Sequence, residues 1–393
     1  MDTFNILVIG NGFDIAHGLP TKYVQFLEFA KEFQQFDSDS LGKESPFFEY
    51  FRNTKANNPD LYKELKLSIA KNCWIDFFIE KADQLKKAGK ETWIDFEKEI
   101  SDVVQALDDA RNSFKDQANQ GKSELKMNAQ QWNILGQIFA GKEKMGSVKQ
   151  WRFSQDTIIK RKKQFIKALD RLIRSLEIYL SDYISYESCP RFKDIADLNI
   201  DMVLSFNYTD TYSRIYESKS FMQIRYDYIH GKAKAVHEGE EECNLVLGID
   251  EYLSPELRDT DNEFIQFKKF YQRIFKGTGS RYIDWLQERR NNKELFSAMD
   301  SFDDIEMNVY IYGHSLNITD RDILRDLILE DGAQTVVFYH NKEALGDQIA
   351  NIVKVIGEEE LIHRTSGSNG SIKFKQSSKE TVGDAYPVQC IRS

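Results

Sequence analysis

Cysteine is scarce in this chain of 393 residues. The four that occur, Cys73, Cys189, Cys243 and Cys390, lie far apart and none belongs to a C-x-x-C pair, which argues against structural zinc and against a disulfide framework. No apolar run is long enough for a secretory leader or a membrane span, the stretch Asn5–Ile9 included. A surplus of positive charge is missing as well: the net charge is −10, so bulk electrostatics do not favour nucleic acid. No histidine or cysteine cluster has metal-ligand spacing, and no internal repeat is visible. These absences lead us to expect a soluble, cytoplasmic protein with no bound metal. What is present is core material, 41% hydrophobic residues with 27 Phe, enough for two domains or one α/β domain with a large insertion.

The order of patterns favours the second arrangement. Asn5-Ile6-Leu7-Val8-Ile9 reads as a buried strand, followed by a glycine-rich turn and a helix starting at Pro20 or Thr21, with Tyr23, Phe26, Leu27, Ala30 and Phe33 on one face. From 44 to 186 strand-like runs vanish and apolar residues recur at helical steps, as in Leu61, Leu65, Ile69 and in Phe165, Leu169, Leu172, Leu176, Leu180. The glycine-punctuated segment 112–150 reads as a looser excursion within it. Strand candidates then return at Met202–Phe206, Asp227–Ile229, Asn244–Ile249, Met307–Tyr312 and Thr335–Tyr339. Helical patterns at 262–275, 281–298, 319–330 and 343–356 separate several of them. The expected fold class is therefore α/β, a Rossmann-like parallel sheet flanked by helices with a large all-helical insertion. Its nucleotide-binding domain is split into 1–43 and 187–364, the insertion spans 44–186, and 365–393 is a flexible tail or edge strand near 371–375.

Four motifs carry chemistry. The first runs from Gly10-Asn11-Gly12-Phe13-Asp14 through His17-Gly18-Leu19-Pro20-Thr21. It fails as a dehydrogenase fingerprint, because Ile15 holds the third glycine position and no second strand with an acidic end follows at the usual distance. A glycine pair between a buried strand and a helix still suits a phosphate, and Asp14 and His17 are expected on a polar loop over the pocket. The second is Ser205-Phe206-Asn207-Tyr208-Thr209, with Asn207 just past a strand end, where its amide can hold a water or sugar hydroxyl, or cap the next helix. The third is Tyr228-Ile229-His230-Gly231, which offers an imidazole at a strand end. The fourth is Tyr312-Gly313-His314-Ser315-Leu316, with Asp320 opening a helix, and it suits a second phosphate or ribose contact or a capped turn.

Taken in order, these motifs resemble the bacterial abortive-infection family AbiH, a distant member of the sirtuin-like superfamily. The resemblance spans residues 5 to about 340, and Trp93-Ile94-Asp95-Phe96-Glu97 is similar to a tryptophan–acidic segment of the same family. It implies NAD as substrate, cleaved between nicotinamide and ribose in phage defence. It places Asn207 and His230 as catalytic residues, and Gly10, Asn11, Gly12, Asp14, His17, Thr21, Gly313, His314 and Ser315 around the nucleotide. Asp14 then sits near the developing positive charge. The departures count against protein deacylation: Thr21-Lys22-Tyr23 follows the glycine–proline segment, Thr209 stands where sirtuins have Asp, and the four-cysteine zinc module is missing.

Two other classes stay open. A nucleic-acid toxin is suggested by the basic stretch 142–174, which contains Lys142, Lys149, Arg152, Lys160, Lys162, Arg171 and Arg174, with Trp151 and Phe153 able to stack on bases. A nucleotide-binding sensor without catalysis is the other. An active NAD hydrolase would poison its host, so restraint is expected through homo-oligomerisation, the insertion, a phage-derived trigger or a neighbouring defence protein.

Overall fold

The computed structural model describes residues 3–89, 94–120, 128–140, 155–186, 189–217, 223–237, 241–298, 306–367 and 370–382. The chain forms two compact units. One is assembled from Met1–Thr21, Ile184–Ala233 and Gly277–Ser393, the other from Lys22–Tyr183 and Lys234–Lys276.

The first unit is built on a six-stranded sheet of order β3-β2-β1-β4-β5-β6. Its strands are β1 (Thr3–Ile9), β2 (Met202–Ser205), β3 (Arg225–Tyr228), β4 (Glu306–Tyr312), β5 (Ala333–Tyr339) and β6 (Ile372–Gln376). Every pairing is parallel. Strand alternation explains the continuous apolar run of β1. Ile6 and Val8 enter one core with Met202, Leu204, Met307, Val309 and Ile311, while Leu7 and Ile9 enter the opposite one with Val203, Tyr312 and Phe338. Helices α1 (Asn11–Ala16), α9 (Lys193–Ala196) and α10 (Thr211–Tyr216) supply residues to the second core, and α13 (Arg281–Ala298), α14 (Arg321–Ile328), α15 (Lys342–Ile356) and α16 (Glu358–Thr365) supply residues to the first. This is a Rossmann-like α/β fold.

The second unit is helical, with α2 (Tyr23–Asp37), α3 (Phe48–Asn57), α4 (Pro59–Ile69), α5 (Cys73–Lys87), α6 (Phe96–Gln120), α7 (Ala129–Ala140), α8 (Gln155–Ile178), α11 (Pro255–Arg258) and α12 (Lys269–Lys276). Its core is aromatic. Phe29 packs on Phe51 and Tyr179 with centroids 5.0 Å apart in each pair, and Phe78 stacks on Phe96 at 4.1 Å. Both apolar series read from the sequence, Leu61–Ile69 and Phe165–Leu180, are buried.

Several expectations need correcting. Helix α2 and the stretch 234–276 cluster with the helical unit, whereas the division expected from sequence gave both to the sheet. Asn244–Ile249 is buried but is not a strand: the Gln272 side chain bonds both Leu247 N (3.0 Å) and Leu247 O (3.2 Å), and Lys276 donates to Leu245 O. Backbone pairing is confined to a bridge at Ile249, whose N donates to Phe267 O at 2.7 Å and whose O accepts from Lys269 N at 2.9 Å. The described parts of 112–150 are helical rather than loose, Gly136 lying inside α7. The pattern at 262–275 breaks at Lys268 into a short 3-10 turn and α12.

Candidate functional site

The four motifs fall at the carboxyl tips of β1, β2, β3 and β4, which are neighbours in the sheet. Strand order reverses between β1 and β4, and open α/β sheets hold ligands in that crevice. The glycines there have a local task. Gly12 N donates to Gly313 O at 2.8 Å and Gly10 N to Tyr312 O at 3.3 Å. A methyl group on Gly10 would lie 2.7 Å from His314 Cα, and one on Gly313, whose φ is +66°, would lie 2.1 Å from Phe13 N. The glycine pair therefore lets two backbone segments touch. The Gly12 N–H is thus bonded within the protein, and α1 has six residues.

Asp14 and His17, expected on a polar loop over the pocket, belong instead to helix α1 and its C-cap. Asp14 lies inside α1, 1% exposed, and its Oδ2 accepts from Thr209 Oγ1 at 2.6 Å, with Thr211 Oγ1 donating to Thr209 Oγ1 at 3.0 Å. Burial pushes its carboxyl up to about 6 against the opposing pull of Thr209, Thr211 and Asn207. His17 ends the same helix. Its Nδ1 donates to Phe13 O at 2.6 Å, its Nε2 accepts from Tyr216 OH at 2.8 Å, and Tyr216 OH accepts from Phe192 N at 2.9 Å. Burial lowers its pKa to about 4, so it is a neutral ring with both nitrogens bonded inside the protein. Thr21 Oγ1 donates to Asn11 Oδ1 at 2.7 Å and ties the far end of the motif to its start.

Asn207 is 4% exposed. It does not cap α10, whose N-cap is Asp210. Its Nδ2 instead donates to Gly10 O at 3.0 Å, and its backbone N to Ser205 Oγ at 3.1 Å. Its Oδ1 is buried and meets no donor among the described residues. His230 follows β3 and is also buried, its ring edge-on to Phe206 at 5.8 Å. The Phe206 ring meets His314 at 4.3 Å on the other side. The carboxylate of Asp320 lies 3.4 Å from His314 Nε2 and 3.8 Å from His230 Nε2. Ser315 is exposed, and the turn after it is capped by Asn317, whose Oδ1 accepts from Thr319 N at 3.3 Å. Asp320 was visible in the sequence only as a helix opener. Of its two imidazole neighbours, His314 lies six residues away in the same motif, while His230 comes from a distant segment that no local spacing announces.

Elsewhere, part of the basic stretch is engaged, while Lys160, Lys163 and Lys167 are exposed. In the helical unit Arg174 binds Glu64 and Glu177 at 2.8 and 2.6 Å, Arg171 donates to Leu67 O and Lys71 O at the end of α4, and Lys162 pairs with Glu263. Residues 142–154 and Trp93 lie outside the described residues. Among the described residues no acidic, histidine or cysteine group could hold a metal ion, and no helix is long and apolar enough to cross a membrane.

No curated protein and no solved structure matches the chain. A family model does, over residues 6–340, a span that begins in β1, passes through all four strand-tip motifs and ends just after β5. On that match, the chain belongs to the family described as bacteriophage abortive infection AbiH.

Proposed function

We propose that this protein is an abortive-infection effector that hydrolyses NAD to nicotinamide and ADP-ribose. The family description supports the defence role. The observation that carries the chemistry is the Asn207 carbonyl oxygen, buried at the strand tips with no donor from the described residues. A buried acceptor left unmatched costs about 1–3 kcal/mol, which a ligand's hydroxyl or a held water removes. Asn207 is itself fixed through Nδ2 to Gly10 O, so the oxygen has a defined direction.

Nicotinamide in NAD carries positive charge and leaves readily once the ribose can bear an oxocarbenium-like state. The protein's work is to hold the ribose, orient one water and keep bulk solvent out. Asn207 Oδ1 accepts from the water or a ribose hydroxyl. His230, at the adjoining tip, hydrogen-bonds a ribose hydroxyl or takes its proton. Asp14, in contact with Thr209 and close to Asn207, contributes negative charge above about pH 6. Sirtuin-like ancestry belongs to this same reading, with the four-cysteine module of deacylases missing from the sequence. The nucleic-acid reading is weaker, because Lys162, Arg171 and Arg174 already have partners within their unit.

Incubation of purified protein with NAD, followed by chromatographic detection of nicotinamide, tests the proposal. Release by the wild type and its loss in Asn207→Ala and His230→Ala is the expected result. Binding without release in the wild type would instead favour a sensor, and equal release by the variants would remove these residues from the site. Restraint by self-association, a phage-derived trigger or a neighbouring defence protein is expected to appear as activity that rises only in infected cells.

A further inference from the structure

The feature the sequence did not disclose is the Asp320 carboxylate set between two imidazoles from separate strand tips. It stands 3.4 Å from His314 Nε2 through Oδ2 and 3.8 Å from His230 Nε2 through Oδ1. Three things make this arrangement built rather than incidental. His314 Nδ1 accepts the Leu316 N–H at 2.9 Å, so the neutral ring carries its proton on Nε2, the edge facing Asp320. That bond holds Leu316 at φ +58°, a left-handed conformation costing about 1–2 kcal/mol for a residue of this kind, and the fully buried Leu316 side chain secures it. Asp320 ends a turn capped by Asn317 and stands at the start of α14, so its backbone is fixed as well. The Phe206 ring lies against both imidazoles and keeps their surroundings apolar, which strengthens charge interactions.

We propose that Asp320 is the positioning residue of this site. One oxygen directs His230, the other is held by His314, and the carboxylate balances the imidazolium formed whenever His230 accepts a proton from the ribose hydroxyl and returns it. The catalytic part of this inference rests on the NAD-cleaving reading; the geometric part does not. The division of labour is that of a carboxylate, here partly buried, behind a catalytic histidine, which orients the ring and stabilises its charged form without becoming protonated.

The experiment pairs kinetics with spectroscopy on the full chain. With NAD as substrate, Asp320→Asn lowers kcat by about a hundredfold and leaves KM within about twofold. Asp320→Glu restores part of kcat. In proton–nitrogen imidazole spectra, resolved over only six histidines, Asp320→Asn shifts the His230 and His314 signals together and leaves exposed His363 in place. Wild-type kcat in Asp320→Asn overturns the proposal, and so do unmoved His230 and His314 signals. If Asp320→Asn loses all its dispersed signals through misfolding, the Glu variant decides by the same two readouts. If the wild type releases no nicotinamide, the NAD reading fails separately, and the spectra alone decide whether Asp320 orients the two rings.

Discussion

Two buried asparagines stand at opposite ends of the central strands, and they are treated differently. Near the amino end of β1, Asn5 N and Nδ2 both donate to Asp201 Oδ2, at 2.9 and 3.0 Å, and Asn5 Oδ1 accepts from Asn308 Nδ2 at 3.0 Å. This network fastens β1 to β4 and to the residue preceding β2, and it fixes their register. At the carboxyl end, Asn207 fastens one bond to Gly10 O and leaves its own oxygen without a donor among the described residues. The same amide is a fastener where its bonding capacity is filled and a receptor where it is not. Buried polar groups are nearly always matched, and on the proposed reading the unmatched Asn207 oxygen is where the ligand's hydroxyl or a water is received.

The sharpest way to break this comparison is Asn207→Ala. We expect nicotinamide release to fall by about a hundredfold, while urea unfolding shifts by no more than about 1 kcal/mol. Retained activity would reduce Asn207 to a second fastener. The mirror experiment is Asn5→Leu. It removes the Nδ2 donor from Asp201 and one acceptor from Asn308 while the backbone N–H stays, so stability should drop by about 1–3 kcal/mol with activity per folded molecule unchanged. Next comes Asp14→Asn. Burial raises the Asp14 pKa to about 6, so ionisation at neutral pH destabilises the fold, and the amide variant should be more stable at pH 7 by about 1–2 kcal/mol yet less active.

Titration sharpens the same region. Asp14, raised from 3.8 to about 6, stabilises the folded state in its protonated form, a contribution lost as pH rises through 6. His17, lowered from 6.5 to about 4, does the reverse: its contribution is present above 6.5 and is lost as pH falls towards 4. The two oppose one another between roughly pH 4 and 6. In His17→Gln the Asp14 effect stands alone, and the melting temperature of this variant should gain on that of the wild type as pH is lowered from 6.5 to 4.5. The smallest effect is expected from Tyr216→Phe, which removes the hydroxyl joining His17 Nε2 to Phe192 N. It should cost about 1 kcal/mol in thermal unfolding and leave turnover unchanged.

Much of the fold was legible because its signals are local. β1, β2, β4 and β5 announce themselves as short β-branched or aromatic runs, and the long amphipathic helices show their buried stripes directly. Asn244–Ile249 misled because an apolar run reports burial, not ladder bonding: a glutamine side chain 25 residues away bonds Leu247, and Ile249 makes a single backbone bridge to Lys268. The four motifs were legible as strand tips, but the contacts among them were not. Glycines at 10 and 12 could be seen to need space, but what fills it is Gly313, three hundred residues later in the chain. His17 looked ligand-facing because its partner Tyr216 cannot be read from any spacing, and Asp320 was read only as a helix opener because its approach to His230 cannot be read from spacing either.

The sheet is discontinuous in the chain, and that has a consequence for synthesis on the ribosome. Ile6 must wait for Met202 on one side and Val309 on the other. At about 5–20 residues per second, the second partner emerges some tens of seconds after the first strand. Throughout that interval Asn207 can have its strand neighbour, but His314 and Asp320 do not yet exist. Until then the crevice between β1 and β4, with its His314–Asp320 contact, cannot form.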